Sequence, residues 1–151
     1  HTSKVSRLMN QKPDTVFLPS WSEISELICF PEREEDSILI TLLAWIGLRW
    51  SEAVALNTDA VWTNKPLLSI SRVLARSNGT WVVEAPKSGL ALTVPLPTPL
   101  WNRLKKLRTL RERQPALPLP AGRLLFRPEI IRPGSTGIHI LDNNVFHKNV
   151  W

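Results

Sequence analysis

Residues 37–56 read Ser-Ile-Leu-Ile-Thr-Leu-Leu-Ala-Trp-Ile-Gly-Leu-Arg-Trp-Ser-Glu-Ala-Val-Ala-Leu, and the fold is best read outward from them. Ser37–Ile46 is apolar on every side, which predicts a buried helix. Glu32, Glu34, Glu35 and Asp36 come just before it, where acids complement the positive end of a helix dipole. Gly47 permits a turn, and Ser51–Leu56 begins a second short helix. Arg49 therefore sits on a turn to which a buried helix delivers it.

Upstream, residues 1–13 are polar and basic, lack apolar periodicity and close on Pro13, as a linker does. Ser20–Ile28 has helical spacing, with Glu23 three residues after Ser20 as a capping box requires, and Pro31 ends it. Downstream, Leu67–Leu74 and Thr80–Glu84 are strand-like and are joined through Ser77-Asn-Gly, a hairpin-turn signal. Pro86-Lys-Ser-Gly is another turn and leads into Leu92-Thr-Val-Pro-Leu, so three strands form an antiparallel meander. Thr98-Pro99 marks a helix start, with Thr98 as cap and Pro99 as the first helical residue. Leu100, Leu104, Leu107 and Leu110 then share one face of a helix to Arg113, with arginines and lysines on the solvated remainder. Pro115–Pro120 is a stiff connector, Leu124-Leu-Phe a short buried segment, and Asp142 caps a last helical stretch ending at Trp151. The class is α+β, mostly helical with a small three-stranded antiparallel sheet. The tryptophans read as core or interface residues.

The chain has 151 residues, enough for one domain, and 43% hydrophobic against 21% charged residues supports a folded core. No apolar run reaches the roughly 18–20 residues that span a bilayer, so no membrane partner is expected. The start, His-Thr-Ser-Lys, has no initiator methionine or signal-peptide core and reads as a cut edge. Cys29 is the single cysteine, which excludes an internal disulfide and fits a cytoplasmic setting. Three scattered histidines have no metal-ligand spacing, so neither metal nor other cofactor is expected. The net charge of +6 is uneven: residues 1–75 carry −2 and residues 76–151 carry +8. A basic half beside a near-neutral half points to a polyanion, because each cation on a phosphate releases condensed counterions.

Three segments together resemble the tyrosine recombinase (phage integrase) family. Ala44-Trp-Ile-Gly-Leu-Arg-Trp-Ser-Glu-Ala-Val-Ala-Leu is similar to the Gly-Leu-Arg-x-x-Glu-x-x-x-Leu box that holds the family's first active-site arginine. Val82-Val-Glu-Ala-Pro-Lys-Ser-Gly with Thr93-Val-Pro-Leu-Pro resembles its lysine hairpin, and Leu124-Leu-Phe with Asn144–Trp151 resembles the approach to its His-x-x-Arg box. The resemblance implies an incomplete catalytic fold, with residues 14–151 as the N-terminal part of the catalytic domain. It implies double-stranded DNA as partner, other recombinase subunits in the complete protein, and strand exchange through a phosphotyrosine link. Arg49 would then hold the non-bridging oxygens of a phosphorane-like transition state, since a guanidinium offers two parallel donors and keeps its proton. Lys87 would act as general acid for the departing 5′ oxygen. Glu52 would orient the arginine or cap its turn, and Arg72, Arg76 and Lys87 would contact DNA.

The chain also departs from the family pattern. Ala91 and Leu92 stand where the hairpin often carries an arginine, and the chain contains no His-x-x-Arg box and no tyrosine. Without a tyrosine, these residues cannot form the phosphotyrosine link themselves. His139 and His147 read as ordinary residues. A fold lacking the last helices would leave apolar surface bare, predicting self-association. Two other readings compete: a non-catalytic DNA-binding or assembly module with the same fold, and an unrelated basic interaction domain. In both, Arg49 is only a helix-end cation and Lys87 an exposed turn residue.

Overall fold

A computed structural model describes residues 20–29, 31, 33–115 and 123–127. The linker expected at 1–13, the connector over 116–120, His139, His147 and the helical stretch from Asp142 to Trp151 lie outside the described residues.

Helix α1 (Trp21–Cys29) starts as its capping box predicts. The Glu23 carboxylate accepts the Ser20 backbone N–H at 2.8 Å, and the Ser20 hydroxyl accepts the Glu23 N–H at 3.4 Å. Helix α2 (Glu34–Ile46) takes Glu34, Glu35 and Asp36 into its own first turn. It ends where Gly47 adopts φ +73°, a left-handed conformation that costs glycine little, and donates to the Leu43 carbonyl at 3.1 Å. Its buried side is Ile38, Leu39, Ile40 and Leu42, whereas Ala44 and Trp45 near its C-terminus are exposed. The helix is thus not buried all round. Trp45 meets Trp21 of α1 edge to face, with ring centroids 6.2 Å apart.

After the short helix α3 (Trp50–Ala53) and a 3-10 turn at Thr58–Ala60 come four strands, β1 (Leu67–Ile70), β2 (Val73–Ser77), β3 (Thr80–Glu84) and β4 (Leu92–Pro95). They do not form the expected three-stranded meander. The run read as one strand breaks at Ser71-Arg72, and two separate antiparallel ribbons result, β1 with β4 and β2 with β3. The reason lies in burial: Leu68 and Ile70 point into the core from β1, and Leu74 reaches it again from β2 only after two irregular residues. The β2–β3 turn has positive φ at both Asn78 (+50°) and Gly79 (+77°), as a two-residue hairpin of this twist requires.

Helix α4 (Thr98–Arg113) begins one residue earlier than its cap signal suggests, with Pro97 as N-cap and Thr98 inside the helix. Its buried stripe is Leu100, Leu104, Leu107 and Arg111, not Leu110. At 100° per residue, position 111 lies within about 20° of position 100, while position 110 is rotated about 80° away. Residues 123–127 complete the core: Leu124, Leu125 and Phe126 are buried. They are stitched to the chain after α3 by Leu125 N–H to the Leu56 carbonyl and Thr58 N–H to the Arg123 carbonyl, both at 2.9 Å. Among the described residues no helix is long and apolar enough to cross a membrane.

Candidate nucleic-acid interface

Arg49 is the N-cap residue of α3, with extended backbone (φ −70°, ψ 150°). Its own N–H is accepted by the Glu52 carboxylate at 2.9 Å, and its carbonyl accepts the N–H groups of Glu52 and Ala53 at 3.0 Å each. Glu52 therefore ties down the arginine's backbone, half of a capping box; a guanidinium has no lone pair to supply the other half. Leu48 and Trp50 on either side are partly buried against the core, and α3 packs on β2. The backbone is held on three sides while the side chain is exposed, with no ion pair or hydrogen bond among the described residues.

Lys87 is the first central residue of the turn Pro86–Gly89, closed by the Gly89 N–H to the Pro86 carbonyl at 2.8 Å, with Gly89 at φ +70°. Its side chain is exposed and likewise makes no ion pair with the described residues. The strand register shows which cations share an end of the ribbon. Val73 pairs with Glu84, so Arg72, just before β2, and Lys87, three residues past β3, belong to the end away from the Asn78-Gly79 tip. Arg76 pairs through its backbone with Trp81 nearer the tip, and its side chain lies outside the described residues. Arg72 is half-buried and lines a crevice with Ala55, Leu56 and Asn57, the segment that follows α3.

The cations of α4 behave differently. Arg111 is 4% exposed. It pairs with Glu35 of α2 and donates through Nε to the Leu125 carbonyl at 2.7 Å and through Nη1 to Gln114 at 2.9 Å. Burial, with Arg33 nearby adding repulsion, pulls its pKa down to about 10. Arg127, also buried, donates both Nη groups to the Pro115 carbonyl at 3.3 Å, and burial followed by the neighbouring Arg111 and Arg123 lowers its pKa. Arg33 pairs with Glu35 and donates to the Arg127 carbonyl at 3.2 Å. Arg103 reaches Glu34 at 2.7 Å and the Ser37 hydroxyl at 3.0 Å, and its hydrogen bond lowers the Glu34 pKa. Arg108 donates to the Val61 carbonyl and to Glu112, and Lys105 sits 3.5 Å from the centre of the Trp101 ring.

The helix read as a solvated basic face is therefore largely a set of internal clamps. The signal in the sequence was periodicity: Arg111 continues the Leu100–Leu104–Leu107 stripe, and an arginine on a core stripe implies an acid opposite. The tryptophans divide too. Trp50, Trp81 and Trp101 pack against the core, whereas Trp21 and Trp45 are largely exposed.

No family model matches the chain, and no curated protein matches it by sequence. Solved structures do. The Tn1549 transposon integrase in complex with transposon right-end DNA superposes with a TM-score of 0.65 at 15% identity, over 82% of this chain and 41% of that one. The same integrase in complex with a circular-intermediate DNA gives 0.64 at 17% identity, over 83% and 42%. A further complex of it with circular-intermediate DNA gives 0.56 at 19% identity, over 89% and 41%. The chain thus spans about two-fifths of the length of the integrase it resembles. The resemblance read in the Gly-Leu-Arg box and the superposition meet in one conclusion: the fold of this chain is that of part of a transposon integrase.

Proposed function

We propose that the chain is the DNA-binding, N-terminal part of a recombinase catalytic domain, covering residues 14–151, and that the β2–β3 ribbon end and the α3 cap face the DNA backbone. The observation that carries this reading is the contrast at Arg49: a backbone tied by Glu52 and flanked by anchored side chains, presenting to solvent a guanidinium with no partner among the described residues. An exposed guanidinium on a fixed stretch of backbone is suited to a phosphate, to which it gives two parallel charge-assisted bonds. That the integrase it resembles was solved on DNA supports the same partner.

In this reading Arg49 stabilises the charge that builds on the non-bridging oxygens during strand cleavage. The Lys87 ammonium gives its proton to the 5′ oxygen as the phosphorus–oxygen bond breaks. Glu52 positions Arg49, and Arg72 and Arg76 add phosphate contacts. The attacking hydroxyl belongs to a tyrosine, which these 151 residues do not contain, so the chain alone binds DNA without joining to it. In the complete protein further recombinase subunits would share the DNA.

The test is a nicked suicide duplex, on which cleavage traps any covalent adduct. The chain alone should bind it with salt-dependent affinity and give no adduct. A longer protein that carries the tyrosine should give an adduct, and Arg49→Ala in that protein should reduce its formation by roughly 100-fold or more. An adduct formed by the chain alone, or cleavage that survives Arg49→Ala, contradicts the assignment. If the longer protein binds the duplex with salt-dependent affinity but gives no adduct, with arginine or with alanine at position 49, the non-catalytic DNA-binding module is the better reading.

A further inference from the structure

Where α1, α2 and the start of α4 meet, a recess of about 270 Å³ is walled by the Trp21–Trp45 pair and by Ile28, Ala44, Pro97 and Leu100. Trp21 and Trp45 are 64% and 57% exposed, although indole rings gain much from leaving water. The polar liners besides the tryptophans are engaged elsewhere. The Thr41 hydroxyl donates to the Ser37 carbonyl at 2.7 Å, and Arg103 donates to Glu34 at 2.7 Å and to the Ser37 hydroxyl at 3.0 Å. The recess therefore suits an apolar guest and has no free charge to offer one.

The chain carries such a guest within reach. Residues 14–19, Asp-Thr-Val-Phe-Leu-Pro, lie outside the described residues and run directly into Ser20, whose capping box starts the helix that bears Trp21. Phe17 is three residues before Ser20, and at no more than about 3.6 Å per residue its backbone stays within about 11 Å of that cap. Pro19 favours an extended Leu18, so Phe17 and Leu18 point opposite ways and only one of them can enter.

We propose that Phe17 fills this recess against Trp21 and Trp45, strapping the residues before α1 onto α1, α2 and the start of α4. An apolar cavity of about 150 Å³ takes a benzene ring, so one of about 270 Å³ admits the benzyl group of Phe17. An aromatic guest among aromatic walls adds edge-to-face attraction that Leu18 does not supply. A tether of a few residues holds Phe17 at a millimolar or higher local concentration, against which a second copy or a partner protein has to compete. The strap fixes the point from which the linker over residues 1–13 departs, and it uses none of the residues assigned to DNA.

The experiment is a double-mutant cycle in urea on the 151-residue chain, with Phe17→Ala, Trp45→Ala and both together. Phe17→Ala should lower the midpoint by about 0.5–1 M. In the Trp45→Ala background the same change should shift it by less than half as much, because the wall that Phe17 meets is already missing. Trp45 is largely exposed, so its variant should still fold cooperatively. In the parent chain, nuclear Overhauser contacts should join the Phe17 ring protons to the indole of Trp45 and vanish in Phe17→Ala. An unmoved midpoint on Phe17→Ala, equal shifts in the two backgrounds, or absence of those contacts overturns the proposal. So does a parent chain that sediments as a dimer which Trp45→Ala dissociates and Phe17→Ala does not, since a second copy then fills the recess.

Discussion

Two regions of this molecule use cationic side chains for opposite ends. On the helical side, Arg111 and Arg127 are buried, and Arg33 and Arg103 are committed to carboxylates of α2. On the ribbon side, Arg49 and Lys87 stand in solvent on tightly bonded turns and have no partner among the described residues. A charge count gives both sides equal standing as DNA contacts. Burial and partners separate them, since a guanidinium that already holds a carboxylate and a carbonyl must give up both to reach a phosphate.

The contrast is broken most severely at Arg111. Arg111→Ala leaves Glu35 without one of its two cations and opens a hole beside Leu125, and should cost about 3–5 kcal/mol in urea unfolding, whereas Arg111→Met, which refills the space, should cost much less. A loss below about 1 kcal/mol for the alanine variant would mean that the clamp is not structural. On the other side the sign of the effects reverses. Arg49→Ala should leave the urea midpoint in place and weaken duplex binding by about 1.5–3 kcal/mol, the range for a hydrogen-bonded charge.

Glu52→Ala lies between the two sides, because it acts on DNA only through the backbone of Arg49. It should cost about 1 kcal/mol of stability and lower DNA affinity by less than Arg49→Ala does. The smallest effect is expected at Glu34, whose carboxylate faces solvent. Its pKa is held below the ordinary 4.5 by the Arg103 hydrogen bond, so the stabilisation is present above that value and is lost as pH falls through the lowered one. Glu34→Gln should therefore cost no more than about 0.5 kcal/mol near neutrality, and melting curves of the variant and parent should converge in acid.

Much of the fold could be read from local chemistry. The Ser20/Glu23 box, the left-handed Gly47 and the Asn78-Gly79 hairpin each act over a few residues, and each is found where its residues stand. Apart from the one-residue shift at the start of α4, the misreadings share one cause: they concern contacts between parts of the chain that are far apart. The break at Ser71-Arg72 follows from β1 pairing with β4 instead of continuing into β2, a choice made by the core and invisible in the strand's own alternation. The role of Arg111 depends on Glu35, 76 residues away. At the candidate interface, the bond between Arg49 and Glu52 spans three residues and lies within reach of a local reading, whereas the shared ribbon end of Arg72 and Lys87 emerges only from the register.

The central claim, that the ribbon-side cations and not those of α4 meet the DNA, is tested most directly by the salt dependence of duplex affinity. For the parent chain, log affinity should fall linearly with log salt concentration. Removing Arg49 and Lys87 together should lower the steepness by about 2, roughly one for each phosphate no longer neutralised, while the Lys106→Glu, Arg113→Glu pair should leave it within about half a unit of the parent. The opposite pattern, an unchanged slope without Arg49 and Lys87 and a shallow one without Lys106 and Arg113, would contradict it.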